Sequence, residues 1–406
     1  MRFVGEHVLH LAQHIGAPSR ALVRAGDKVV RGQMIGAPGG FVSTALHAPV
    51  TGTVKAIELR PHPSGRLQEA IVITTDPFAT QTIDARLPVN GSLVKQVQDA
   101  GIVGLGGAAF PSHVKLSVPE GRKVRHVIIN GCECEPFLTC DHRIMVERPE
   151  AVVRGLRLLM THLGAERGVI GVERNKPDAV EALSRLTAEM PDVEVVALHV
   201  KYPQGAEKML IDAVFKREVP SGKLPLDLEM VVNNVGTVAA IANLVDQGTP
   251  LVERVVTVTG PGIRRPANVL VPLGTPVQAV IDHCGGLLPE TRQVILGGPM
   301  MGQAQKSLDI PVTKGTSGVL ALLRPMELAV EEPCIKCGRC LEACPMFLNP
   351  SRLGLLARAE DHVGLKQYHA LDCVECASCS FVCPSYIPLV QLIRVGKALV
   401  RQKEAR

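Results

Sequence analysis

Two cysteine runs with one spacing constrain this chain more than any other feature. Cys334-x-x-Cys337-x-x-Cys340-x-x-x-Cys344-Pro345 recurs as Cys373-x-x-Cys376-x-x-Cys379-x-x-x-Cys383-Pro384, offset by 39 residues. These eight belong to twelve cysteines in 406 residues, too long a chain for a small disulfide-stapled domain. The amino terminus, MRFVGEHVLHLAQHIGAPSR, interrupts its apolar residues with Glu6, His7, His10 and His14 and lacks the continuous apolar segment of a signal peptide. A protein that stays in the cytoplasm is expected. Clustered thiols in a reducing compartment bind metal.

The spacing discriminates between metals. Four thiolates suit tetrahedral zinc, but zinc sites pair two C-x-x-C units across a longer gap. Three cysteines in C-x-x-C-x-x-C series wrap one face of a cuboidal [4Fe–4S] cluster, and the proline turns the fourth away. The run matches that of bacterial two-cluster ferredoxins, in which the fourth cysteine ligates the other cluster. On that match, cluster one takes Cys334, Cys337, Cys340 and Cys383, and cluster two takes Cys373, Cys376, Cys379 and Cys344. Such a module carries single electrons, which something upstream must supply.

Composition narrows the partners. Hydrophobic residues are 46% and charged residues 20%, a globular balance. A net charge of +5, dispersed along the chain, makes no nucleic-acid footprint, and 3% aromatics with no Trp leave no base-stacking platform. No run of about 18 apolar residues occurs, so no spanning helix is expected.

The chain reads as multidomain α/β and α+β. Residues 1–90 are β-rich, with turns at Gly26–Asp27 and Thr51–Gly52 between short runs. They resemble the barrel-sandwich fold of lipoyl and biotinyl carriers. The GGFVSTALHAPVTG stretch holds no lysine to modify, so a docking or packing role is expected. Over 91–248, strands (His126–Asn130, Gly168–Val172, Glu194–His199) alternate with helices (Ala151–Leu163, one opening at Pro177–Asp178, and Ala206–Lys216), implying a helix-covered parallel sheet. Residues 249–325 form a small α+β module, and 326–406 the cysteine module with a basic helical tail.

Two motifs stand out in the second region. GIVGLGGAAFPSHVKL (Gly101–Leu116) offers Gly104, Gly106 and Gly107 for close backbone approach and Lys115 for a phosphate, or it is a tight turn needing positive φ. NGCECEPFLTCDHR (Asn130–Arg143) follows a strand at the end where open α/β sheets bind ligands. Glu133 and Glu135 share one face if the segment is extended. Cys132, Cys134 and Cys140 match no cluster spacing and read as buried or pocket-lining thiols. His142 and Arg143 are phosphate ligands or simply solvated.

These two motifs, with YPQGAEK, NNVGT, the HIGAP…HAPVTGTV block and the paired cysteine runs, resemble the RnfC family, the C-subunit of the Rnf electron-transport complex, across essentially the whole chain. More distantly, the middle region is similar to the NADH-binding flavoprotein subunit of respiratory complex I. The resemblance implies non-covalent FMN with NADH stacked on it. Gly104, Gly106, Gly107 and Lys115 would lie at flavin phosphate and nucleotide, and Asn130, Glu133 and Glu135 near flavin and nicotinamide. Tyr202, Gly205 and Glu207, and Asn233, Asn234 and Thr237, complete the implied cofactor site. Ala109 stands where glycine is usual, Cys132 where the complex I protein has Asp, and Ala206 where it has Glu. The 249–325 module resembles the β-grasp that follows the flavin domain in these families.

The resemblance therefore implies electrons passing from NADH to FMN, then through two clusters to other subunits of an Rnf-type membrane complex, with ferredoxin reached indirectly and ion translocation coupled by partners. No catalytic proton-transfer residue is assigned. Without a spanning segment, attachment to the cytoplasmic membrane face must come through those subunits. The tail VQLIRVGKALVRQKEAR reads as a solvated amphipathic helix or a face docking on a partner or anionic lipid. A soluble flavin–iron–sulfur reductase of the cobalamin-reductase kind and a pure electron-carrying module are the alternatives.

Overall fold

A computed structural model describes residues 1–88, 90–324 and 330–404. The expected boundary at 325/326 and the last two residues of the tail lie outside them.

The first 75 residues build two antiparallel sheets. One orders Glu6–His10, Leu67–Thr75, Gly52–Pro61 and Lys28–Val29; the other orders Arg20–Ala21, Met34–Ala37 and Leu46–His47. Both expected turns place glycine where the backbone needs it. Gly26 has φ +93° and donates to Val54 O, and a Cβ on Gly52 would lie 2.1 Å from Thr74 O.

The second region is a parallel four-stranded sheet in the order Val193–Leu198, Arg167–Glu173, His126–Gly131, Met230–Asn234. Alternate residues feed two cores, as a sheet covered on both faces requires. Val127 and Ile129 pack with Leu156 and Val238 of the helices Pro149–Leu163 and Val235–Gln247, whereas Ile128 packs with Leu210 and Ile211 of Glu207–Phe215. The chain steps outward from His126–Gly131 in one direction, then returns to its other side with Met230–Asn234. That reversal opens a crevice at the carboxyl ends of these two strands.

The third region is a five-stranded sheet in which Glu253–Thr259 pairs antiparallel with Ala267–Pro272 and parallel with Gly318–Leu322, with Val277–His283 packed on it. In the cysteine module the sequence repeat is also a backbone repeat. Lys336 and Glu375, Gly338 and Ala377, and Phe347 and Tyr386, each pair 39 apart, all have positive φ.

The tail helix packs on its own module. The helix Leu389–Glu404 buries Leu389, Ile393 and Val400 against Leu353, Leu356 and Leu365 of this module. Lys397 bonds Cys373 O and, with Arg394, pairs with Glu375. Its apolar face is spent inside the module, which removes the lipid-docking reading, while exposed Gln391, Arg401 and Lys403 keep the outer face solvated as an amphipathic helix requires: periodicity identifies an amphipathic face, not what covers it.

Candidate cofactor sites

The crevice gathers the motifs. Asn130 and Asn234 are directly paired at the ends of their strands. Asn130 Nδ2 donates to Gly205 O (2.8 Å) and its Oδ1 accepts from Cys132 N (3.0 Å), so one side chain ties strand end to the Tyr202–Glu207 loop. Gly205 runs so close to this strand end that a Cβ would lie 2.3 Å from Cys132 O. Lys115 Nζ reaches Glu207 (2.9 Å) and Val232 O (3.1 Å). Asn234 Oδ1 caps the helix Val235–Gln247 through Gly236 N, and its Nδ2 donates to Asp141 (2.6 Å).

The glycine loop is held from behind. Leu105 N donates to Thr237 Oγ1 (2.9 Å), whose hydroxyl donates to Val103 O (3.2 Å). Gly106 faces Asn234, and Gly107, at φ +147°, has no atom within 4 Å of a built Cβ. Gly104 N donates to Phe110 O (2.8 Å). Ala109, standing where glycine is usual, has φ +50°, a left-handed conformation glycine favours. Asn233 is buried, and its Nδ2 has no partner among the described residues. An orphaned buried amide one residue from Asn234, which faces the glycine loop, fits a ligand rich in acceptors, such as a flavin.

Glu133 and Glu135 do not share a face. Turns from Glu133 N to Gly131 O and from Cys134 N to Cys132 O break the extended path. Glu133 accepts from Asp141 N and His142 N, capping the helix Cys140–Glu147. Glu135 accepts from Met300 N (3.0 Å) and Met301 N (2.7 Å) of the third region, and burial raises its carboxyl pKa. His142 pairs with Asp178 and Arg143 with Glu147, at the surface. Cys132 donates to Gly171 O, Cys134 accepts from Gly205 N and Cys140 meets Glu133, so the three thiols serve separate partners. Burial pushes Cys134 up to about 11 and the other two higher still.

In the cysteine module, Cys344 lines one cavity with Cys373, Cys376 and Cys379, capped by Pro345 and Ile393. Burial and the neighbouring thiols raise Cys379 to about 12. An all-sulfur donor set around one cavity fits an iron–sulfur cluster. Cys334 and Cys337 are exposed, and Cys340 and Cys383 half-buried. Tyr202 OH donates to Cys376 O (2.8 Å), and Asp372 accepts from Gly222 N and pairs with Lys208. The second cysteine run thus rests on the loops of the crevice.

Asp141 and Arg254 carry no mark in the sequence. Asp141 stands inside the NGCECEPFLTCDHR motif, but nothing local shows that it binds Asn234. Arg254 lies 149 residues from Leu105 and 60 from Lys314, whose carbonyls it bonds.

Family models match this chain over four stretches: the RnfC barrel sandwich hybrid domain (residues 1–77), the Nuo51 FMN-binding domain (97–243), the SLBB domain (255–304) and a 4Fe-4S dicluster domain (333–387). This is a flavin- and iron–sulfur-binding electron-transfer protein. The C-subunit of the Na(+)-translocating ferredoxin:NAD(+) oxidoreductase complex of Acetobacterium woodii is 47% identical over 96% of this chain and 90% of its own. That of the proton-translocating complex of Clostridium ljungdahlii is 46% identical over 89% and 80%, and that of the ion-translocating oxidoreductase complex of Rhodobacter capsulatus 40% over 98% and 78%. The chain belongs to the RnfC family of these complexes. An NAD+-reducing [NiFe]-hydrogenase chain shares the fold at a TM-score of 0.52 and 21% identity, over 77% of this chain and 62% of that one.

Proposed function

We propose that this chain is the subunit through which an ion-translocating ferredoxin:NAD+ oxidoreductase complex exchanges electrons with NAD(H). The observation that carries the reading is the bond from Tyr202, on a crevice loop, to Cys376 O: flavin crevice and second cysteine set share one contact. Bound FMN converts hydride transfer into single-electron transfer, the step that links NADH to clusters.

The protein's part is binding and orientation. Gly104, Gly106 and Gly107 leave backbone open to the phosphate end, where Lys115 supplies a cation held by Glu207. Asn233 offers its free amide to the flavin, and Asn130, Asn234, Gly205 and Thr237 hold the surrounding loops. Glu133 and Glu135 fix the segment bordering nicotinamide. The first cluster falls to Cys334, Cys337, Cys340 and Cys383, and the second to Cys373, Cys376, Cys379 and Cys344; the shared cavity supports the second set. Tyr202 and Asp372 hold that second set on the flavin side, leaving the first toward partner subunits.

The domains are read as 1–90, 91–248, 249–325 and 326–406, the third a β-grasp by virtue of its antiparallel hairpin, helix and parallel closing strand. No helix among the described residues is long and apolar enough to cross a membrane; the reading places the chain on the cytoplasmic face of the complex, held there by other subunits. The twelve cysteines, free of disulfides, fit a reducing compartment.

The test is anaerobic purification of the full chain with FMN, iron and sulfide. About eight iron and eight sulfide per chain are expected, with bleaching of the cluster absorbance on adding NADH. Zinc without visible absorbance, or clusters that NADH fails to reduce, overturns the reading.

A further inference from the structure

The segment Glu135–Asp141 meets the third region at Glu135, Leu138 and Thr139. Glu135 is gripped by the amides of Met300 and Met301, and Leu138 packs where a Cβ on Gly318 would lie 2.4 Å away. Thr139 N donates to Thr257 Oγ1 (3.1 Å), and its hydroxyl exchanges hydrogen bonds with Asn268. The contact closes on Arg254, at 5% exposure, whose guanidinium lies beside the Cys140 thiol and the Asp141 carboxyl.

Arg254 also reaches the glycine loop. Its Nη2 donates to Leu105 O (3.3 Å) and its Nη1 to Lys314 O. The backbone of Leu105 is therefore held from two sides: its N–H by Thr237 from the flavin domain, its carbonyl by Arg254 from the third region. Asp141, which feels the guanidinium's charge, holds Asn234, and Asn234 in turn abuts Gly106. One buried cation thus bonds the glycine loop directly and acts on Asn234 through the Asp141 carboxyl.

We propose that Arg254 is the positioning residue of the flavin site, by which the 249–325 module sets the shape of the glycine loop and supplies positive charge beside the cofactor. The inference rests on the FMN reading above. A planar guanidinium bonds the Leu105 and Lys314 carbonyls at once in a fixed geometry that an ammonium does not reproduce. A fixed cation near the flavin favours the more negative reduced form.

The experiment compares full-length wild type, Arg254→Met and Arg254→Lys, each reconstituted anaerobically. FMN dissociation constant, flavin midpoint potential and iron content are measured. Arg254→Met should bind FMN roughly tenfold or more weakly, from loss of charge-assisted bonds that preorganise the loop. Its flavin potential should fall, and its iron content should match wild type. Arg254→Lys should keep the wild-type potential because the charge remains, yet bind FMN more weakly because the two-carbonyl grip is lost. Wild-type affinity in Arg254→Lys, or the same lowered potential in both variants, overturns the proposal. If Arg254→Met holds no flavin at all, Arg254→Lys decides alone. Absence of FMN from the wild type overturns the flavin reading and this inference with it, whereas variant behaviour equal to a flavin-loaded wild type overturns only the inference.

Discussion

Gly106 and Asn234 are packed so that a change in one displaces the other. A Cβ at Gly106 would lie 3.0 Å from Asn234 Nδ2 and 3.2 Å from its Cβ and Cγ. Asn234 cannot retreat freely, because it caps a helix through Gly236 N and holds Asp141. Gly106→Glu therefore moves the cap and adds a carboxylate where flavin phosphate is placed, two effects of the same sign. The expected result is loss of retained FMN and a lower Tm, with the cap alone accounting for about 1 kcal/mol. The cluster spectrum should be unchanged, since the cysteines belong to another module. Flavin retention equal to wild type sinks the placement of the loop.

At the scale of elements, the two cysteine runs are one design used twice, down to their positive-φ positions. Cys344 nevertheless lies with the other run's triplet around one cavity. Cys344→Ser should alter the same electron paramagnetic resonance signal as Cys376→Ser and leave the signal that Cys337→Ser removes; a match with Cys337→Ser instead means each run closes its own cluster. The spacing itself raises the expectation of crossing, because Cys-Pro is a local instruction. The strands were legible: the Gly168–Val172 strand and the central His126–Asn130 strand fall where their apolar runs stand. The bend that separates Glu133 from Glu135 was not, because a two-residue spacing says nothing of turns at Gly131 and Cys132. Arg254 was hidden for a different reason: its partners Leu105, Asp141 and Lys314 come from three distant segments, and no local pattern encodes their meeting.

On the scale of the whole molecule, charge is buried at the junction of the modules. Lys314 is fully buried, its ammonium bonded to Thr44 Oγ1 and Ala45 O, and burial lowers it to about 7. In the amino-terminal sheets, burial lowers His7 and His10 to about 4 and His47 to about 3. Unfolded, these histidines titrate near 6.5, so between that pH and about 4 the unfolded chain binds more protons. Tm should fall as pH drops through this window, and His47→Leu should make the fall shallower. A flat Tm from pH 7 to 4 contradicts the burial of these rings.

The last expectation follows from the polarity of the cysteine module. Its second run faces inward, joined to the flavin domain through Tyr202, Asp372 and their partners. Its first run faces out, with Cys334 and Cys337 exposed and large apolar side chains bare around the module: Ile335 is 68% exposed, Phe381 73% and Phe347 90%. Bare aromatic residues on a charged surface mark a face that is covered in an assembly. Under the function proposed above, electrons that enter at the flavin leave by the outward cluster, and the expected occupant of this face is a neighbouring subunit of the complex. Phe347→Ser combined with Phe381→Ser should leave NADH-driven reduction of both clusters intact in the isolated chain, because both rings are exposed and outside the module's core. The same pair should lower recovery of partner subunits on purification and slow electron transfer to ferredoxin in the assembled complex. Full recovery with an unchanged rate places the exit elsewhere; loss of cluster reduction in the isolated chain means that these rings support the module's own fold.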